Sequence, residues 1–450
     1  MFIQLPPGHV SGIENADEGD EDTLKESKAS RVSQIVYITD LENRPYMRQA
    51  HKPEVKFQQS GLNIWFLFAV GMFYTIPVVQ LVLTHLRSLE ETGNQDECFY
   101  NFLCSTPYLA VADFNHIFSN MWYMGFGALF VFSTWYRQRK HRRYMEMREK
   151  MIRKEDKESK YGVPMGVPQR FGIFYAVGYA IAFEGILSAC YHVCPTNVNF
   201  QFDTTFMMII STLAMLKIYQ QRHPDLGARA YVVFLGLGGV IFLVAIGVYE
   251  DTVIRIVVFI EHALTSVFVT YVMFHYGEVS LDHKIFLHMY RSVTQIVDGD
   301  FSWTPRHIAL LFVVNGLNFA MIVYGAISGV AIPNYLLFVF LGNLFFYATH
   351  YIAMKIYHKE RVTWHPIVFG VLALASAVPA LIFFGMKQYK SDLTPAQSRN
   401  LNEECYIPGL MDNHDIWHML SASGLYFTFN MILTLDNGLY NVPRDKIRIF

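Results

Sequence analysis

Two short segments of this 450-residue chain carry side chains suited to metal chemistry. The first is Ser188–Asp203, SACYHVCPTNVNFQFD. Ser188 and His192 are four apart, so on a helix they share one face, one turn apart. Glu184 lies a turn further back on the same stripe, and Asp203 follows across a short polar connection. The second segment, His414-Asp-Ile-Trp-His418, places two imidazoles at i and i+4. Three histidines, a carboxylate and a hydroxyl at helix ends are the ingredients of a zinc site with an open position. His192, His414 and His418 would supply the nitrogens. Asp203 would be a fourth ligand or would hold and deprotonate a bound water. Ser188 would donate a hydrogen bond to that water or to a substrate carbonyl. Glu184 would be a second-layer or proton-handling group, or would face a wet cavity. An isolated HxxxH pair recurs by accident and also reads as two core histidines. His192 and Asp203 raise the metal reading above that alternative.

These segments need a scaffold, and composition says which kind. The chain is 52% hydrophobic, 16% aromatic and only 16% charged, with mean hydropathy +0.23. A soluble protein carries about a quarter charged residues. The balance points to an all-α integral membrane bundle, and the net charge of −2 gives no support to bulk nucleic-acid binding. Residues 1–60 open with an acidic run from Glu14 to Asp22 and bury too little apolar surface to fold, so they read as a disordered cytoplasmic segment. Residues 61–450 read as one transmembrane domain. Ten stretches approach the ~20 residues that cross a bilayer. They lie near 62–86, 112–135, 171–194, 203–221, 230–249, 253–275, 307–328, 333–357, 365–386 and 414–435. The fifth and sixth, split only by Glu250-Asp251-Thr252, should form a tight hairpin.

The basic segment after the second span, RQRKHRRYMEMREKMIRKEDK, reads as a cytoplasmic loop by the positive-inside rule. Counting alternately from it places His192, Asp203, His414 and His418 all at the non-cytoplasmic face. Cys98, Cys104, Cys194 and Cys405 fall on that same oxidising side. The pairing Cys98 with Cys104 and Cys194 with Cys405 is the expectation, with Cys190 a free thiol within a span. Glu261-His262 should pair with a neighbouring helix, and Asn315, Asn318 and Asn343 should form interhelical hydrogen bonds. Leu216–Arg222 fits a loose cholesterol-contact pattern.

Several segments carry a specific likeness. NQDECFYNFLC, FNHIFSNMWYMGFG, SACYHVCPTNVNFQFDTTFM, MLKIYQQRHPD and HDIWHMLSASGLYF closely resemble the systemic RNA interference defective transmembrane family. These are double-stranded-RNA channels or transporters of animals. The family in turn resembles a wider group of metal-dependent membrane hydrolases that includes alkaline ceramidases and adiponectin receptors. That group's pattern is Ser-xxx-His, then Asp, then His-xxx-His, and Ser188, His192, Asp203, His414 and His418 match it. The resemblance implies zinc on the three histidines, with Asp203 and Ser188 beside a bound water. It also implies RNA transport at a plasma, endosomal or lysosomal membrane, with a possible homo-oligomer. Family members normally begin with a signal peptide, an extracellular β-rich region and one further span. This chain begins in what resembles the cytoplasmic segment that follows them. Two other functions stay open: zinc-dependent hydrolysis of a membrane lipid, with Asp203 as base and Ser188 orienting, and lipid or cholesterol handling with a structural zinc.

Overall fold

Each long apolar run among the described residues folds as helix. In a lipid setting the backbone can satisfy its N–H and C=O groups only within the segment itself. The computed structural model describes residues 37–42, 53–109, 111–154, 164–224, 230–247, 251–274, 305–386 and 393–450, with 287, 290, 294 and 298 singly. Among the described residues there are helices and isolated bridges but no strand. After the short α1 (Ile38–Glu42) come α2 (Pro53–Thr92), α3 (Phe114–Ser119), α4 (Met121–Lys154), α5 (Gly172–Tyr191) and α6 (Gln201–Arg222). Next are α7 (Ala230–Gly247), α8 (Thr252–Phe274), α9 (Asn315–Ser328), α10 (Ile332–Tyr357), α11 (Trp364–Gly385) and α12 (Asn413–Thr434). A π-helical turn, Ala309–Val314, runs directly into α9.

Among the described residues, seven helical stretches are long and apolar enough to cross a membrane: Ile64–Thr92, α5, α6, α8, Ala309–Ser328, α10 and α11. Helix α7 contributes a shorter apolar run, Leu235–Gly247. Helices α4 and α12 fall outside the seven. The second half of α4 is basic, and α12 opens with Asn413, His414, Asp415 and His418.

One core joins α2, α4, α5, α6, α10 and α12 through Leu67, Tyr123, Phe130, Ile181, Phe206, Tyr351 and Phe429. Small residues let α4 and α5 approach closely. A Cβ on Gly127 would stand 2.8 Å from the Gly178 carbonyl oxygen and from the Ala182 nitrogen. A second core joins α6 to α10 around Met208, Val244, Val258, Met321 and Tyr335. Beside it His262 contacts the Tyr335 hydroxyl (2.6 Å) and Asn318 Oδ1 (2.9 Å), and Asn318 and Asn343 exchange hydrogen bonds. Asn315 accepts from Ser266 and Thr270. These are the expected interhelical contacts, except that Glu261 meets Thr265 of its own helix.

The bundle has two distinct ends. At one, His192 lies beside His414, and both disulfides are nearby in the loops. At the other, Arg222 at the end of α6 binds Glu360 and Asp436, and Lys355 binds the same two carboxylates. Arg137 donates to Asn437 there, and α1 packs on the tail through Ile38, Leu41, Ile447 and Ile449.

The structure corrects several expectations. The cysteines pair as Cys98–Cys194 and Cys104–Cys405. The loop before α3 thus joins separately to the end of α5 and to the loop before α12, rather than closing on itself. The basic segment is not a loop as far as Lys154, because α4 continues through it; residues 155–163 lie outside the described residues. Within 1–60, α1 is helical with Ile38 and Leu41 buried, and α2 begins at Pro53; the acidic run lies outside the described residues. Composition missed α1 because its apolar partners come from the other end of the chain. Lys217, Tyr219 and Arg222 are buried in protein contacts, so the Leu216–Arg222 stretch does not present a cholesterol pattern to lipid. Of the expected hairpin turn, Glu250 is outside the described residues, while Asp251 Oδ1 accepts from the Val253 backbone to start α8.

Candidate metal centre

His192 is the C-cap of α5. Its position is set by α5 ending there, where the backbone turns through Pro195 toward α6. His414 and His418 lie on the first turns of α12. Asp412 caps that helix, accepting from the backbone nitrogens of His414 (2.8 Å) and Asp415 (3.0 Å). Asp415 returns a hydrogen bond acceptor to the Asp412 nitrogen, completing a capping box. The cap therefore fixes where α12 starts and which way its two histidines point.

The three imidazoles converge. One ring nitrogen from each lies within 4.8 Å of the other two, and the His192 and His414 Nε2 atoms are 3.1 Å apart. Tetrahedral zinc with Zn–N bonds near 2.0–2.1 Å would separate ligand nitrogens by about 3.3 Å. His418 is fully buried, and its Nε2 has no hydrogen-bond partner among the described residues. Its other nitrogen explains why. The Ser119 hydroxyl donates to the His116 carbonyl (2.9 Å) and lies 2.8 Å from His418 Nδ1. A hydroxyl has one hydrogen, so the Nδ1–H must donate to Ser119. The neutral ring then carries its lone pair on Nε2, aimed at the other two histidines. This is the tautomer a metal needs, fixed by an outer partner. The donor set and spacing fit a zinc ion.

Asp203, buried at the start of α6, accepts a hydrogen bond from the Ser188 hydroxyl. It lies within electrostatic reach of His414 but outside the close trio of nitrogens. The serine hydrogen is thus committed to the carboxylate. Ser188 orients Asp203 here instead of reaching toward a water or substrate, as its spacing had suggested. Glu184 is fully buried one turn below, and neither carboxylate oxygen meets a side-chain partner among the described residues.

The sequence reading missed a second buried layer. His116 of α3 stacks on His192 with ring centroids 5.2 Å apart. Its Nδ1 is 2.8 Å from Asp113 and its Nε2 is 2.9 Å from Asp412. Carboxylates at both nitrogens suit a doubly protonated ring. Asn115 donates to Asp415 (2.9 Å) and Asn101 to Asp412 (3.1 Å). The signal was present in DFNHIFSN, a polar run leading into an apolar helix, where each such group needs a partner. What the run lacked was any spacing motif, because its partners sit some 300 positions downstream, as with Asn115 and Asp415. The disulfides close over this layer. Cys194 lies two residues past His192, and Asn402 clamps the cysteine loop by accepting from the Phe102 backbone and donating to the Tyr100 carbonyl.

The family model for the dsRNA-gated channel SID-1 matches residues 10–450. SID1 transmembrane family member 1 of Homo sapiens is 35% identical over 99% of this chain, and the match covers 53% of that relative. The Mus musculus protein of the same name gives the same identity and coverage. Cholesterol uptake protein 1 of Caenorhabditis elegans is 34% identical over 93% of the chain and 54% of that protein. The chain spans about half the length of the relatives it matches. These matches lend no support to the wider grouping with alkaline ceramidases.

Proposed function

Because the chain belongs to the dsRNA-gated channel SID-1 family, we propose that it is a membrane component that helps double-stranded RNA cross a plasma, endosomal or lysosomal membrane. The single observation behind this reading is the family match over residues 10–450. We take all ten apolar helical regions as spans. In that arrangement α4 and α12 cross within the bundle, where their polar groups meet protein rather than lipid. The disulfide-bearing end then faces the non-cytoplasmic side and the Arg222 end the cytoplasm, in keeping with the placement of basic residues. A homo-oligomer is compatible with this reading. The test is uptake of labelled RNA duplex by cells expressing this chain, alone and joined to the part of a relative that it does not match. Uptake above control in either case supports transport. Control-level uptake in both, with the protein at the membrane, removes it.

A second reading has a specific observation behind it: three convergent imidazoles beside a buried Ser188–Asp203 pair. In this reading the centre hydrolyses an ester or amide of a membrane lipid. Zinc there would polarise the carbonyl and make water nucleophilic near neutral pH. Asp203, oriented by Ser188, would accept the proton that the attacking water gives up. His116 and the Asp412 cap would hold the two histidine-bearing segments in register. A lipid-handling role with structural zinc is the milder form, prompted by the relative named for cholesterol uptake. Purified chain assayed against labelled ceramide and phospholipid, with Asp203→Asn as control, separates them. Turnover that the variant lacks supports hydrolysis, and equal background in both leaves zinc structural.

A further inference from the structure

The end of the bundle remote from the histidines carries a basic surface that neither reading uses. Helix α4 runs without a break from its apolar half to Lys154. Trp135 and Tyr136 close the apolar half and are 43% and 61% exposed. Such rings gather where hydrocarbon meets headgroup. The next turns divide by side. Inward, Arg137 donates to Asn437, Gln138 accepts from the Tyr175 hydroxyl (2.6 Å), and His141 meets the Tyr440 hydroxyl (3.3 Å). Outward, Arg139, Lys140, Arg142 and Arg143 are all exposed, and the Arg139 guanidinium lies over the Trp135 ring at 5.3 Å.

A neighbouring turn repeats the pattern. Tyr357 and Trp364, each 66% exposed, flank exposed Lys359 and Arg361. The Arg361 backbone lies against Gly438, next to the Asn437 that Arg137 holds. Helix α4 and the turn between α10 and α11 therefore both carry aromatic rings beside basic groups, and Gly438 next to Asn437 brings the two together. At 1.5 Å per residue, Arg139 and Lys140 stand about 6–8 Å beyond Trp135, and Arg142 and Arg143 about 10–12 Å. The headgroup layer is about 5–7 Å deep on each face. Long basic side chains can reach back into it.

We propose that Arg139, Lys140, Arg142 and Arg143, with Lys359 and Arg361, form a docking surface for anionic phospholipid headgroups of that leaflet. Charge complementarity and the aromatic level favour lipid phosphates as the occupant. A duplex RNA would meet the same charges but has no use for the exposed Trp135, Tyr136, Tyr357 and Trp364 rings beside them, which suit a membrane surface. The proposal stands apart from both readings of function.

The test uses the full chain in phosphatidylcholine nanodiscs, titrated with short-chain phosphatidylinositol bisphosphate and, separately, with a blunt RNA duplex. Binding is read by intact-mass spectrometry and by the thermal midpoint. Expected is binding of the phosphoinositide that raises the midpoint and weakens as salt rises. Changing Arg139, Lys140, Arg142 and Arg143 together to Gln should weaken it at least tenfold, since basic groups near an anionic surface each add to the attraction. The milder pair R142Q/R143Q should give an intermediate loss and guards against a misfolded quadruple variant. The thermal midpoint of each variant without added lipid serves as its fold control. No preference of the unaltered chain for the phosphoinositide overturns the proposal without recourse to variants. So does unchanged binding in the pair and the quadruple, or a surface that takes the RNA duplex and not the lipid.

Discussion

Ser119 determines which nitrogen of His418 faces the other histidines, although it is no ligand itself. Ser119→Ala should therefore weaken zinc binding about 10–100-fold, the usual cost of losing an outer partner, as read by competition with a chelator. His414→Ala or His418→Ala should remove most of about one zinc per chain by elemental analysis, since each deletes a nitrogen of the trio. Asp203→Asn should leave zinc largely in place while abolishing any hydrolysis. Ser188→Ala should now weaken hydrolysis as well, because its hydroxyl orients Asp203. Zinc-free protein with unchanged stability in the histidine variants would reduce these imidazoles to core polar groups. The missed His116 belongs at this scale too. It holds two buried carboxylates from segments far apart in the chain.

Between elements, close contact and covalent ties do the positioning. Helices α4 and α5 meet where Gly127 faces Gly178 across backbone atoms. Gly127→Leu should push them apart and lower the thermal midpoint, because the groups it meets are backbone and cannot rotate aside. Gly125, where an added Cβ meets nothing within 4 Å, is the control, and Gly125→Ala should change little. The disulfides tie loops across sequence separations of 96 and 301. Replacing Cys104 and Cys405 by Ala should cost about 2–5 kcal/mol, read as a lower midpoint that reducing agent reproduces in the parent chain. A two-residue tether from Cys194 to His192 means that Cys194→Ala should reduce zinc affinity as well.

Across the whole molecule, the end far from the histidines is held by an ionic knot. Arg222 and Lys355 share Asp436 and Glu360, and the Tyr351 hydroxyl donates to Asp436 (2.6 Å). Burial pushes the Asp436 carboxyl up, but Arg222 and Lys355 outweigh it and hold it down at about 2. A carboxyl depressed in the folded state adds stability that is fully present above its unfolded value, about 3.9. That contribution should fade as pH falls from about 4 through about 2, seen as a midpoint that drops over this window. Asp436→Asn should flatten the drop and destabilise by about 3–5 kcal/mol, because it leaves two buried cations short of a partner. An Asp436→Asn midpoint equal to the parent at neutral pH would show that Glu360 alone suffices.

The sequence by itself determined that the chain is a helical membrane protein and which family it belongs to. Long apolar runs with few charges have one stable backbone form in lipid, and the family segments are contiguous stretches that survive being read in order. It also led to the expectation that His192, His414 and His418 lie together, and the packed helices do bring them to one end of the bundle. Side-chain partners were beyond its reach. Which cysteine meets which, that Ser188 serves Asp203, and that His116 bridges Asp113 to Asp412 were decided only by the packed bundle. Four cysteines on one side permit several pairings at equal hydropathy, and only loop geometry selects between them. The same holds for α1 and for α4 beyond Tyr136. Local composition reads as a polar tail and a charged loop, yet contacts with the far end of the chain make one a buried turn and carry the other on as helix.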